Sequence, residues 1–200
     1  MRIAIFGWGS LIWDRRDLPI TGDWQRGGPV LPIEFGRISR SGGRAGCLTL
    51  VIDEQYGANV TTRFAHSPRT NLDSAIADLR TREGTSSGRI GYVNLVRNTE
   101  REYARQQHPH ACDAIKAWAQ AQRLEAVVWT ALPSNFEEVA HRPFSVEAAV
   151  LYLKALVEPA KSRALEYLQK APPEVMTPVR TAAMDAGWLQ DEPGFARMTP

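Results

Sequence analysis

Through its first 65 residues the chain has no apolar run longer than one strand, and glycine, proline or a cluster of turn formers cuts each run short. Ile3 to Phe6 is the first such run and stops at Gly7. Ile33 to Ser39, Cys47 to Asp53 and Ala58 to Ala65 follow, rich in β-branched and aromatic residues. Between them lie Asp14 to Pro32, dense in turn formers, and the glycine-rich SGGRAG. Strands joined by short turns pair antiparallel, as in a small barrel or a mixed sheet.

Helical signals enter at Asn71. Its side chain can cap NLDSAIADLRTREG, and Gly84 can stop it. Ile90 to Val96 and Leu124 to Leu132 return to strand patterns, with a helix at Cys112 to Arg123 between them. From Ser145 onward the periodicity is helical, punctuated by Pro159 and Gly187. The expectation is an α+β protein: a small mixed or antiparallel β-barrel with flanking helices in residues 1–135, and a helical C-terminal extension, 136–200, packed on the same domain.

Composition narrows the functional classes. A formal net charge of +2 with dispersed basic residues makes no electrostatic case for nucleic acid. No apolar run reaches membrane-spanning length, and the N-terminal stretch, broken by Gly7 and Gly9, lacks the pattern of a signal peptide. Cys47 and Cys112 lie far apart, so the expectation is a reduced, cytoplasmic protein without disulfides. His108, His110 and Cys112 stand close in QHPHAC but match no zinc spacing, so no metal site is expected. Arg37 and Arg40 are candidates for binding a substrate carboxylate, against the commoner solvent-facing role. Trp13 and Trp24 are the tryptophans near enough to the first turn to wall a pocket.

Two features carry chemistry. Advancing about 100° per residue from Leu72 places Ala75, Ile76, Leu79 and Glu83 on one stripe, with Arg80 and Arg82 to either side. A carboxylate on the core-facing line of a helix's last turn has its pKa raised by burial and by the helix dipole, which suits proton transfer near neutral pH. The plain alternative is that Glu83 turns outward or pairs with Arg80 or Arg82. The second feature is the turn Gly7-Trp8-Gly9-Ser10-Leu11. Ile12 stands where a dinucleotide fingerprint needs its third glycine, and also where a nucleophile elbow needs its second. What remains is a cradle of backbone N–H groups for an anion, or simply a tight turn.

The segment Phe6-Gly7-Trp8-Gly9-Ser10-Leu11-Ile12-Trp13 resembles the opening of the γ-glutamylcyclotransferase superfamily, above all its ChaC-like members, with Trp8 where those usually carry tyrosine. RISRSGGRAGCLTLVID and LRTREG resemble two further regions of the family, and together the likeness spans residues 2 to 96. The resemblance implies a cofactor-free enzyme that cyclises a γ-glutamyl compound to 5-oxoproline and releases an amine or amino acid, glutathione being one candidate substrate. It implies Glu83 as the catalytic general acid and base. It also implies substrate binding by Phe6, Gly7, Trp8, Gly9, Ser10 and Leu11, and Tyr92 is placed where it could reach the same cavity. A small-molecule substrate would be the partner, and Ser10 would hydrogen-bond rather than attack. The rival reading is a non-catalytic barrel that binds a small carboxylate ligand or a protein partner.

Overall fold

The structure is a computed structural model that describes residues 1–40 and 42–189. It is an α+β protein built on two open sheets. The six-stranded sheet contains β1 (Ile3–Gly7), β2 (Thr21–Gln25), β6 (Arg63–His66), β7 (Ile90–Asn94), β8 (Thr99–Glu100) and β9 (Ala126–Thr130), in the order β2-β6-β1-β9-β7-β8. The three-stranded sheet has the order β4-β3-β5, from β3 (Val30–Ile38), β4 (Leu48–Ile52) and β5 (Ala58–Thr61). Among the described residues no ladder joins the two sheets, so they do not close into the expected barrel. The expected strand 58–65 is divided at Thr62. Its N–H and hydroxyl both donate to the Pro29 carbonyl, at 3.1 and 2.8 Å, and its carbonyl accepts from Gly28. These bonds carry the pairing of β5 with β3 one residue further, and beyond Thr62 the chain leaves that sheet for the other as β6.

Pairing is mixed. β1 runs antiparallel to β6, with Ile5 opposite Ala65, and parallel to β9, with Ile5 opposite Val128. Strand alternation divides the apolar side chains between two faces. Ile3, Ile5, Ile90 and Val128 pack with Ala75, Ile76 and Leu79 of helix α1 (Leu72–Glu83). Ala4, Phe6, Val93, Val127 and Trp129 face the second sheet through Leu31, Ile33, Phe35, Leu48 and Leu50.

The remaining helices are α2 (Glu102–Gln107), α3 (Pro109–Ala121), α4 (Phe136–Ala140), α5 (Val146–Ala155), α6 (Ala160–Lys170) and α7 (Pro178–Asp185). Ala149, Leu153, Leu168, Val179 and Ala183 from α5 to α7 lie in the same core as Phe35 and Leu50. Residues 190–200 of the expected helical extension lie outside the described residues. No helix among the described residues is long and apolar enough to cross a membrane.

Candidate active site

β1 delivers the chain into the turn Trp8 to Asp14, and the glycines there answer to close packing. Neither Gly7 nor Gly9 takes a left-handed backbone. A Cβ on Gly7 would lie 2.9 Å from the Trp24 ring, and one on Gly9 would lie 2.9 Å from the Tyr167 hydroxyl. Ile12 donates its N–H to the Gly9 carbonyl at 3.0 Å, and Asp14 donates to Ser10 at 2.9 Å. The N–H groups of Gly9 and Leu11 take part in no hydrogen bond among the described residues, and both residues line a cavity. Backbone donors left over beside a cavity suit an anion.

α1 reaches the same cavity from its C-terminal end. Asn71 caps it, Oδ1 accepting from the Ser74 N–H at 2.8 Å, and Gly84 ends it in the left-handed conformation at φ 61°. The buried residue of its last turn is Arg82, 2% exposed, whereas Glu83 is 15% exposed and stands on the cavity wall. The two form an ion pair, Arg82 Nη1 to Glu83 Oε1, at 2.9 Å. The other guanidinium nitrogen donates to Ser10 Oγ at 3.2 Å and to the Asp14 carbonyl. Burial pushes the Arg82 guanidinium below its usual range, with Glu83 opposing that shift. One side chain therefore ties the carboxylate to the turn.

The cavity encloses about 720 Å³. Gly7, Trp8, Gly9, Ser10, Leu11 and Glu83 all line it, as do Trp13, Arg37 and Arg40. Three of the sequence candidates are elsewhere. Phe6 is fully buried against Trp118, ring centroids 5.2 Å apart, because β1 alternation turns it into the core opposite the second sheet. Tyr92 packs on the α1 face of the large sheet, its ring 4.8 Å from the Arg101 guanidinium, and is not among the lining residues. Trp24 packs against Gly7 behind the turn. His108 is buried where α3 begins, and burial pushes its imidazole toward the neutral form. Cys112 is also buried, its thiol pushed up to about 12. Neither lines the cavity, and His110 points outward.

Several lining residues gave no signal in the sequence; Arg82 did, as a possible partner of Glu83. Arg16, Arg44, Arg82, Arg163 and Lys170 join Arg37 and Arg40, so seven cationic side chains face the cavity against three carboxylates, Asp14, Glu83 and Glu166. Arg44 and Arg16 both pair with Asp14, the latter at 3.7 Å. Arg37 donates to the Pro133 carbonyl at 2.9 Å, and burial lowers its affinity for a proton, helped by Arg40 and Arg89. Thr130 places an unpartnered, buried Oγ1 in the wall. α6 contributes Arg163, Glu166, Tyr167 and Lys170, a stripe at helical spacing that in sequence looks like any solvated face. Among the described residues no histidine lines the cavity, and Ser10 Oγ accepts from Arg82. Neither a protein-family model nor a curated protein matches this sequence.

Proposed function

We propose that the chain is a γ-glutamylcyclotransferase-like enzyme, converting a γ-glutamyl compound to 5-oxoproline with release of an amine or amino acid. The observation that carries this reading is the meeting of the Glu83 carboxylate and the Gly9–Leu11 turn in one cavity, joined by Arg82 across 72 residues of sequence. The substrate's α-ammonium must lose a proton before its nitrogen can attack the γ-carbonyl carbon. Glu83 takes that proton and delivers it to the leaving nitrogen, and the second proton, which the attacking nitrogen sheds as it becomes a neutral lactam N–H, passes by the same carboxylate to the released amine. As the new C–N bond forms, the carbonyl pair moves onto oxygen, and the N–H groups of Gly9 and Leu11 are placed to stabilise it. The pair then returns and the bond to the leaving nitrogen breaks. Attack is intramolecular, so holding the substrate folded supplies much of the acceleration. The cationic excess of the walls suits a ligand that carries carboxylates.

The Arg82–Glu83 ion pair favours a second reading, in which the carboxylate is structural and the cavity binds an anionic ligand without turnover. Release of 5-oxoproline from glutathione, γ-glutamyl dipeptides and γ-glutamyl amines separates the two. The wild type is expected to release it, and Glu83→Gln to lose about 10²–10⁴-fold in rate. A folded wild type that is silent across the panel favours the binding module.

A further inference from the structure

The helical C-terminal segment puts one side chain into the turn itself. Tyr167 of α6 is 7% exposed and lines the cavity. Its ring is fixed edge-on by Trp13 at 5.2 Å and by Phe35 at 6.2 Å, with the Arg44 guanidinium 5.7 Å from its centroid. Its hydroxyl is the atom that leaves no room for a side chain on Gly9, and it lies within hydrogen-bonding reach of the Ser10 hydroxyl and backbone. Glu83 is near enough to act on it electrostatically. The phenol is held against the turn in the cavity that Gly9 and Leu11 also line, and it adds a side-chain donor to the two backbone N–H groups left unengaged there.

We propose that Tyr167 is a catalytic residue, its hydroxyl donating a hydrogen bond to the oxygen that becomes negative as the γ-carbonyl is attacked. The inference rests on the cyclisation reading. The phenol keeps its proton throughout: the electron pair displaced onto oxygen returns when the leaving C–N bond breaks, and Glu83 alone exchanges protons with the two nitrogens. Burial pushes the phenol up from its ordinary value, so it remains a donor at neutral pH. Its aromatic neighbours and the close approach of Gly9 hold the donor in place before substrate arrives.

Tyr167→Phe keeps the ring and its packing and removes the hydroxyl, with its contact to Ser10. With the best substrate of the panel, kcat is expected to fall about 10²–10³-fold while KM changes by less than about threefold. The melting temperature is expected to stay close to that of the wild type. Should that variant fail to fold, Gly9→Ala presses a methyl on the same hydroxyl from the turn side, and a comparable loss in kcat is expected. A wild-type kcat in folded Tyr167→Phe, or an effect confined to KM, overturns the assignment and leaves the cyclisation reading standing. A wild type that releases no 5-oxoproline overturns both.

Discussion

The Arg82 guanidinium is the residue on which the geometry of the cavity depends. It is buried, and it satisfies three acceptors from two parts of the chain: Glu83, Ser10 and the Asp14 carbonyl. A planar fork reaches several acceptors at once; an ammonium is a single point of charge. Arg82→Met should therefore cost about 1.5–3 kcal/mol of stability, the usual worth of hydrogen bonds to a charged group. Arg82→Lys should recover the charge and only part of that stability. Thermal melts of the three proteins check the order. In the 5-oxoproline assay both variants should lose more in kcat than in KM, because Glu83 no longer has a fixed orientation. Equal melting temperatures for all three would show that the buried contacts contribute nothing.

Elements were legible where their signals are local. The caps of α1 are the clearest case, since Asn71 and Gly84 each do the job their chemistry suggests within three residues of chain. The C-terminal end of its buried face was not legible. Ala75, Ile76 and Leu79 are buried as the stripe suggests, while Leu72 is half-exposed, and at the last turn it is Arg82 that is buried and Glu83 that stands on the cavity wall. β2 is mostly exposed and joins the sheet at an edge, so no apolar alternation announced it. The parallel pairing of β1 with β9 joins residues some 120 positions apart and has no local signature.

At this scale α7 supplies a pH test. Glu34 of β3 is fully buried, and its carboxylate accepts from the Thr177 hydroxyl at 2.5 Å and from the Phe35 and Val179 N–H groups at 2.6 and 3.2 Å. It anchors the first turn of α7 to the sheet. Burial, the largest influence, raises its pKa above 4.5 even though all three donors oppose the shift. A raised carboxylate binds its proton more tightly folded than unfolded. Its contribution to stability is thus complete below the unfolded pKa of 4.5 and declines as pH rises through the folded value. Glu34→Gln cannot titrate. The melting-temperature advantage of the wild type over that variant should widen as pH falls from neutral to below 4.5, and a difference that stays constant would remove Glu34 as its source.

On the scale of the whole molecule, the N-terminal half carries most of what sequence could show about the cavity, because the turn and the end of α1 are each contiguous. The rest of the wall is assembled by tertiary packing, which places a stripe of α6 opposite a turn near the N-terminus. The C-terminal helices are part of the core that holds the site. Leu153, Leu168, Val179 and Ala183 are buried together with Phe35, Leu48 and Leu50, and Arg63 binds Glu174 through both carboxylate oxygens, at 2.5 and 3.2 Å. A chain ending before Ser145 would expose the face of the second sheet that these side chains cover and would lack Arg163, Tyr167 and Lys170. The intact protein should melt in one cooperative transition, and the truncated chain should show none and aggregate. Scanning calorimetry of both decides the point: two separate transitions in the intact chain, or a cooperative melt of the fragment, would mean that the helices fold as an accessory to the rest, and that the fold of the turn and α1 does not depend on them.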